Sequence, residues 1–302
     1  MAISRAQLAK ELEPGLNALF GLEYNRYENE HSEIFDEESS DRAFEEEVML
    51  GGFASAPVKS EGGAISFDDA QETYTARYTN ETIALAFSIT EEAIEDNLYD
   101  RLASRYTKAL ARSMAQTKQI KAANVLNNAF STGVHAIGEG AALCSAAHPS
   151  LSGNQSNLLG TAADLNETSL ESMLIDIAGM TDERGLKIAI RGMKLIIPKE
   201  LQFIAERVMN SNLRSGTADN DNNAMKNMGM LPEGATVNHF LTDTDAFFVK
   251  TYAPNGFKYF NRSAIKMAME GDFDTGNMRF KARERYSFGV SDWRGVFGTP
   301  GA

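Results

Sequence analysis

The residue types that most often carry catalysis are sparse in this chain, and their spacing suits no common mechanism. The histidines, His31, His135, His148 and His239, are scattered and match no zinc-protease spacing. Cys144 lies four residues before His148, and such a pair could supply a thiol nucleophile and its base. The segment CSAAHP reads as a loop, and no Asn or Asp is identifiable that would orient the base. We therefore interpret His148 as a loop-packing residue.

Motifs for cofactors and metals are also missing from the sequence. There is no glycine pattern of a dinucleotide-binding or triphosphate-binding loop and no serine nucleophile elbow. Cys144 is the single cysteine, which excludes an intrachain disulfide and a cysteine-based zinc cage. Trp293, in the string SDWRGVFG, fits a core aromatic better than a binding platform. We predict no catalytic, cofactor-binding or metal-binding residues and a protein that is not an enzyme.

The charge balance limits the classes of partner. The 302 residues include 42 acidic and 29 basic side chains, a formal net charge of −13. A nucleic-acid reader needs clustered Lys and Arg, so the balance argues against one, while it suits either a container or a merely soluble acidic protein. No apolar run approaches the ~20 residues of a membrane span, and the first residues lack a signal-peptide core. We expect no membrane partner and a protein made and used in a cytoplasm.

Residues 1–48 do not read as a domain. Residues 4–20 predict a short amphipathic helix, and residues 28–47 contain ten acidic side chains with almost no basic residue to oppose them. Like charges at this density disfavour independent folding, yet the segment also carries apolar side chains such as Phe35 and Phe44. We interpret it as an arm that becomes ordered on a neighbouring subunit, with a flexible acidic terminus as the alternative.

Residues 49–82 predict a long hairpin. The segment is punctuated by glycines, and strand-like pieces lie at 64–67 and 72–78. A hairpin of this kind has little core of its own, so it must pack on another part of the chain or on another subunit. A further extended stretch follows at 82–89.

The most regular element is a helix predicted over residues 91–129. Thr90 can cap its N-terminus, and no Pro or Gly interrupts the chain up to Ser131. The helix would be roughly 39 residues long, or ~58 Å, against a mean of about 11–12 residues. Apolar residues recur every four positions, so the stripe winds around the axis and should meet different partners along the helix. These residues are Ile94, Leu98, Leu102, Tyr106, Leu110 and Met114.

The middle of the chain predicts an α/β region. Residues 133–166 are rich in small residues and read as loops. Helices at 167–184 and 199–210 then alternate with strands at 194–198 and 246–250, which is typical of α/β architecture.

The end of the chain predicts strands, preceded by a long polar loop at 211–229. After a turn at 254–256, apolar and basic residues alternate with a period of two, which indicates a strand with one apolar and one basic face. The basic members are Arg279, Lys281, Arg283 and Arg285. The basic face is either a solvated surface or a receiver for acidic residues of another segment.

Taken in order, these elements resemble the major capsid proteins of tailed bacteriophages, which have the Hong Kong 97 fold. Five strings are similar to that family and to its Mu-like major head subunits. They are ITEEAIEDNLYDRL at 89–102, HPSLSGNQSN at 148–157, DLNETSLESML at 164–174, MKLIIPKELQFIAERVM at 193–209 and FGVSDWRGVFG at 288–298. The resemblance covers the chain from about residue 45 to its end.

The resemblance implies an α+β chain divided as in that fold. The implied parts are an N-terminal arm at 1–48, an extended E-loop hairpin at 49–82, a P-domain part at 83–165 with a spine helix at 91–129, a central A-domain at 166–253, and a second, β-rich P-domain part at 254–302. The loop at 211–229 would then point toward the ring axis of a capsomer.

The resemblance also implies assembly. Such subunits form hexamers and pentamers that close into an icosahedral shell around double-stranded DNA, within a virion assembled in the host bacterial cytoplasm. The implied partners are further copies of the chain, a portal protein, a separate scaffolding protein, a decoration protein and weakly held DNA.

A separate scaffold is expected because little room precedes the arm. Lys59 is the only hairpin lysine that could cross-link subunits as in some relatives, and no matching Asn is identifiable, so no cross-link is expected. The alternatives are an encapsulin-like nanocompartment shell and a monomeric α/β enzyme.

Overall fold

The computed structural model describes residues 5–90, 92–93, 99–133, 138–213, 222–272 and 275–302. The chain is α+β, as predicted. Its helices are α1 (Arg5–Tyr24), α2 (Tyr99–Asn127), α3 (Glu167–Gly179), α4 (Gln202–Asn210) and α5 (Ala224–Met228). Short 3-10 helices lie at Glu30–Glu33, Lys199–Leu201 and Trp293–Gly295.

The strands are β1 (Asp36–Ser39), β2 (Phe44–Gly51), β3 (Gln71–Thr79), β4 (Glu81–Ile89), β5 (His148–Ser150), β6 (Gly153–Gln155), β7 (Gly192–Ile197), β8 (Ala235–Val237), β9 (Phe247–Thr251), β10 (Phe257–Gly271), β11 (Met278–Val290) and β12 (Val296–Thr299). β3, β4, β7, β9 and β11 lie where the sequence predicts strands, whereas β1 and most of β2 lie in the acidic arm, for which no strand was predicted. The pair β5–β6 lies in the region that the sequence predicted as loops.

One layer of the fold is a sheet with the order β12-β9-β7-β8. The predicted strand at 194–198 is β7, which pairs in parallel with β8 and antiparallel with β9. Its residues Leu195, Ile196 and Ile197 are fully buried, as a continuous apolar run in a central strand requires. The predicted helix at 167–184 is α3, which packs its apolar side into the same core but ends at Gly179.

A second sheet has the order β1-β10-β11-β4. β11 shows the predicted alternation: Phe280 and Ala282 are buried, while Arg279, Lys281 and Arg283 are exposed. The apolar face of this sheet packs on α1 and α2 in a cluster of its own.

The long helix is confirmed over the residues that the structure describes. The backbone N–H of Ala93 donates to Oγ1 of Thr90 at 3.4 Å, in line with the predicted cap, and α2 ends at Asn127 rather than 129. Residues 91 and 94–98 lie outside the described part of the chain. Leu110 and Met114 pack against the second sheet, whereas Val125 and Leu126 lie in the main core, so the winding stripe does meet different partners.

The predicted hairpin is present, although its boundaries differ. β2 and β3 pair antiparallel, from Phe44 opposite Thr79 to Gly51 opposite Gln71, and residues 52–70 join them without regular structure. The prediction of a strand at 64–67 is wrong for the isolated chain, because nothing in the described part of the chain pairs with that segment.

The arm is more ordered than its acidic composition predicts. The predicted helix at 4–20 is present as α1, Arg5–Tyr24, and residue 4 lies outside the described part of the chain. Ile34 and Phe35 are 1% and 4% exposed and lie in the main core of the same chain. The expectation that these two side chains need a neighbouring subunit for burial is therefore wrong.

The polar segment at 211–229 is only partly a loop. Residues 214–221, and with them His135 and its neighbours at 134–137, lie outside the described part of the chain. Within 222–229, Asn223 caps α5 by accepting hydrogen bonds from the N–H groups of Met225 and Lys226 at 2.9 and 3.4 Å. The sequence prediction of an exposed loop is wrong for these residues, because an Asn can start a helix as well as punctuate a loop.

Candidate assembly surfaces

The acidic arm finds its counter-charges within its own chain. Lys258 contacts Glu38 at 3.0 Å and also Glu47, and Lys250 contacts Asp36 at 3.3 Å. Burial alone would lower the pKa of Lys258, but its hydrogen bonds with Glu47 and Glu38 raise it overall, so the ammonium stays charged.

Two more contacts tie the arm to the β7 side of the molecule. Glu33 lies 3.8 Å from Nζ of Lys194, and a carboxylate oxygen of Glu30 lies 2.7 Å from Nδ1 of His239. The basic residues that receive the arm within the chain are therefore not those of 279–285. Sequence reasoning missed them because single lysines on different strands carry no pattern.

The base of the hairpin is fixed to the body by buried tyrosines. The hydroxyl of Tyr74 donates to the backbone oxygen of Ser291 at 3.2 Å, and that of Tyr78 hydrogen-bonds Oγ of Ser291. Oγ of Ser291 also hydrogen-bonds the carboxylate of Glu47 on β2. Burial raises the pKa of Tyr78 above its ordinary range, so its phenol stays protonated as this network requires.

The loop of the hairpin is uncovered, in contrast to its base. Its large apolar side chains are strongly exposed: Phe53 60%, Val58 100%, Ile65 70% and Phe67 96%. Burying one such side chain is worth about 1.5–3 kcal/mol. Monomeric proteins seldom expose a large group of this kind unless it is an interaction surface. Lys59 also lies exposed on this loop.

The thiol–imidazole hypothesis fails on geometry. Both ring nitrogens of His148 are engaged, Nδ1 by the carboxylate of Glu139 and Nε2 by Oδ1 of Asn157 at 2.9 Å. The imidazole stacks on Trp293, with ring centroids 4.3 Å apart. Burial raises the pKa of the Cys144 thiol beyond its ordinary range, which disfavours the nucleophilic thiolate.

Asn157 is the centre of this buried region, and sequence reasoning missed its role. Its amide nitrogen donates to the backbone oxygens of Leu143, Trp293 and Val296 at 2.8–3.1 Å. Its oxygen accepts from Ser145 N–H at 2.8 Å as well as from His148. The side chain thus ties the loop after α2 to the 3-10 helix Trp293–Gly295 and the start of β12. A lone Asn in a polar loop gives no signal of such a role.

A second buried polar group adjoins Trp293. The guanidinium of Arg294 contacts Glu183 at 2.8 Å and Asp292 at 3.3 Å, and all three side chains are almost fully buried. Burial raises the pKa of Asp292, although Arg294 opposes that effect. These contacts account for the buried charges as structural pairs, and Trp293, fully buried, is the core aromatic that the sequence predicted.

Features of ligand sites are few in the described residues. Within 5–90, 92–93, 99–133, 138–213, 222–272 and 275–302, no three His, Cys, Asp or Glu side chains converge as metal ligands. No helix of that same part of the chain is both long and apolar enough to cross a membrane. The surfaces that stand out are therefore the uncovered hairpin loop and the basic face of β11.

Comparison with known sequences gives one family. The family described as "Phage capsid protein" matches residues 73–298. No protein with curated annotation matches the chain.

Comparison with solved structures gives full-length likenesses at low identity. The virus-like particle of Pyrococcus furiosus has a TM-score of 0.54 at 10% identity, covering 94% of this chain and 97% of that one. The capsid of Myoviridae phage XM1 has 0.52 at 12% identity, with 89% of each chain covered. A chain of Mycobacterium phage Adephagia has 0.52 at 14% identity, covering 99% of this chain and 98% of that one. At these identities the likeness establishes a shared fold.

Proposed function

The chain belongs to the phage capsid protein family and is a structural subunit of a capsid shell with the Hong Kong 97 fold, and from this premise we propose that it is the major head protein of a tailed phage. It assembles as hexamers and pentamers into an icosahedral shell that encloses double-stranded DNA. The virion forms in the cytoplasm of a bacterial host. A portal protein, a scaffolding protein and a decoration protein are further partners.

The observation that carries assembly is the uncovered hairpin loop at 52–70. Its base is locked to the body by Tyr74 and Tyr78, while its apolar side chains have no cover in the described part of the chain. A projecting loop on one face and a receiving surface on another make a heterologous contact, which closes into rings when repeated around a rotation axis.

The division of the chain follows the same fold. We assign residues 1–48 to the arm, 49–82 to the E-loop, 83–165 and 254–302 to the P-domain, and 166–253 to the A-domain. Part of the described structure fits this division, since the middle of α2 packs on β11 in one cluster and β7 and β9 pack with α3 in another. β12, within 254–302, pairs with β9 in the sheet of β7, so the boundary at 254 does not separate the two sheets. The segment at 211–229, which includes α5, then lies toward the capsomer axis, and a structure of an assembled ring that places it at the outer rim contradicts this assignment.

Weak contact with packaged DNA is consistent with the charge of the chain. A net charge of −13 repels phosphates over most of the surface, so the inner wall would confine DNA without holding it. The alternative, a nanocompartment that holds protein cargo, shares the fold, and the likeness to the Pyrococcus furiosus particle therefore does not separate the two.

The content of purified particles distinguishes a phage head from a nanocompartment. Particles isolated from cells that carry the complete set of head genes are treated with nuclease, opened, and assayed for DNA and for co-packaged proteins. We expect long, nuclease-protected double-stranded DNA. Particles that hold a defined protein cargo and no long DNA contradict the phage assignment and favour the nanocompartment.

The role of the hairpin loop is tested by replacing its exposed apolar side chains. Phe53→Ser combined with Val58→Ser leaves the fold of the subunit unchanged, because neither side chain is buried in it, but lowers the yield of particles in a sedimentation assay. Leu22→Ser, at a position 75% exposed on α1, serves as the control for a loss of surface apolarity. Particle yields that remain at the wild-type level contradict the assigned role of the loop.

A further inference from the structure

The long helix α2 is basic in a chain that is otherwise strongly acidic. Six of its 29 residues are Lys or Arg and Asp100 is its single acid, while the whole chain has a net charge of −13. Arg105, Lys108 and Arg112 are exposed, and their spacing of three and four residues places them on one face of the helix. At about 1.5 Å per residue they form a row about 10 Å long, which we call the α2 cation row.

The α2 cation row lies on the side of the helix that faces away from the sheet. Leu110 and Met114 are buried against α1 and the β1-β10-β11-β4 sheet, and the row lies opposite these residues around the helix. Between and beside the cations, the described face holds small or polar side chains such as Ala109 and Gln116. A charged helix surface of this kind lacks the large apolar anchors on which a protein partner depends.

Two of the three cations have no ion-pair partner among the described residues, since no carboxylate there contacts Arg105 or Lys108. Arg112 pairs with Glu23 at 2.7 Å, but Glu23 is only 5% exposed and also contacts Arg26 at 3.3 Å. One buried carboxylate therefore faces two exposed guanidinium groups, and the row keeps an excess of positive charge.

The described carboxylates near Arg112 reduce the charge at that end of the row. Glu28 lines the same small cavity as Arg112, and Glu30 is paired with His239 at 2.7 Å. Positive charge is therefore greatest around Arg105 and Lys108.

The opposite side of the sheet is less suited to an anionic partner, although β11 carries cations there too. Lys281, Arg283 and Gly289 lie on one face of β11 by their period of two. Tyr78 of the hairpin base packs directly on that face, since a Cβ at Gly289 would lie 2.6 Å from its ring. β2, paired with β3 in the hairpin, thereby brings the carboxylates of residues 45–47 to that side. An anion that approaches there meets carboxylates as well as cations.

We propose that the α2 cation row is the contact between the shell and its packaged double-stranded DNA, so that the surface formed by α1 and α2 is the inner wall. Duplex DNA carries one phosphate per about 1.7 Å of its axis, so a row about 10 Å long lies against several phosphates. The few cations of each subunit make a contact that is weak singly and is repeated in every copy of the shell. This inference rests on the proposed function, because it requires a shell that encloses DNA.

Lysine acetylation of DNA-filled heads, and of heads that have released their DNA, tests the contact. Lys108 is compared with Lys281, which is also exposed and has no ion-pair partner among the described residues. A small acetylating reagent enters both kinds of head, and mass spectrometry of the peptides gives the reaction rate at each lysine. We expect Lys108 to react about threefold more slowly in filled heads, a modest effect because exposed ion pairs are weak. Lys281 should react equally in both.

The outcomes separate this inference from the proposed function. Equal reactivity of Lys108 in the two kinds of head, or equal protection of Lys108 and Lys281, overturns the inference alone. Protection of Lys108 in DNA-free particles that hold a scaffolding protein, with none in filled heads, assigns the row to an acidic protein segment and also overturns the inference. Particles that never contain DNA overturn the proposed function, and the inference with it.

Removal of the charges gives a second, independent readout. Shells are broken open so that both walls are accessible, and their binding to duplex DNA is measured from about 50 to about 200 mM salt. Arg105→Gln combined with Lys108→Gln should make the slope of log binding constant against log salt concentration shallower by about 2, about one for each cation removed.

The matched control removes the same residue types from the opposite side of the sheet. Lys281→Gln combined with Arg283→Gln should leave the slope at its wild-type value. All four side chains are exposed, and circular dichroism checks that each variant subunit is folded. Equal changes of slope in the two double variants contradict the assignment, because binding would then follow net charge rather than the α2 cation row.

Discussion

At the scale of single residues, the buried polar side chains of this protein hold segments together that are far apart in sequence. Asn157 joins the loop after α2 to the backbone at Trp293 and Val296. Lys258 and Lys250 pair with carboxylates of an acidic arm whose own basic residues are few. Neither role follows from residue type alone, because the partners come from opposite ends of the chain.

Asn157→Ala should be among the most destabilising single changes. It removes a fully buried side chain and leaves three carbonyl oxygens and the ring of His148 without their partner. We expect a loss of about 3–5 kcal/mol in the free energy of unfolding. Thermal or urea unfolding of the soluble subunit measures it. Asn154→Ala, at an exposed position of β6, is the matched control and should cost less than about 0.5 kcal/mol; equal losses contradict the account.

His31 should make the subunit less stable in mild acid. Burial, with Lys118 nearby, lowers its pKa to about 4, despite the raising influence of the Gln119 hydrogen bond and of Glu37. The unfolded chain, with an ordinary pKa near 6.5, binds the proton first, so stability is lost as the pH falls from about 6.5 to about 4. The loss should reach about 2 kcal/mol by pH 5.

His31→Phe tests this dependence. Phenylalanine keeps the edge-on ring contacts with Tyr259 and Phe288 but cannot be protonated. The difference in unfolding free energy between the two proteins, measured from pH 7 to 4.5, should therefore shift in favour of the variant as the pH falls. Parallel curves over this range contradict the assignment.

At the scale of elements, the two long packing partners α1 and α2 position the second sheet. Phe20 of α1 is fully buried against α2 and the sheet, together with Met114 of α2. The arm helix is thus part of the folded subunit rather than an appendage.

Phe20→Ala should detach this helix. The loss of a fully buried aromatic ring is expected to cost about 3–5 kcal/mol of unfolding free energy. It should also expose α1 to limited proteolysis. Leu22→Ala, two residues away and 75% exposed, is the control and should change neither measurement. Protection of α1 from protease in the Phe20 variant would count against its role in the subunit.

Elements with a local periodic pattern can be predicted from this sequence, whereas features that depend on pairing between distant strands cannot. The α2 stripe, the β7 apolar run and the β11 alternation are local patterns, and each appears where the sequence predicts it. The burial of Ile34 and Phe35 was missed because it depends on β1 pairing with β10, more than 200 residues away. The segment 64–67 pairs with no strand among the described residues, so the strand that its local pattern predicts does not form.

At the scale of the whole molecule, some charged and apolar groups find partners within the chain, and others stay exposed. The acidic arm pairs carboxylates with Lys250 and Lys258 of the same chain, and buried tyrosines fix the hairpin base to the body. Within the described residues, the apolar side chains of the hairpin loop are uncovered and no strand pairs with the outer edge of β4. A subunit that exposes an apolar loop and an unpaired strand edge can bind further copies of itself through them.

The most direct test of the account is cryo-electron microscopy of particles formed by this chain together with the scaffolding protein that we propose as its partner. We expect closed icosahedral shells built from hexamers and pentamers, in which the hairpin loop of each subunit lies on the sheet of a neighbour. A protein that stays monomeric at high concentration, and forms no rings or shells with or without its partners, contradicts the claim that this chain builds a shell.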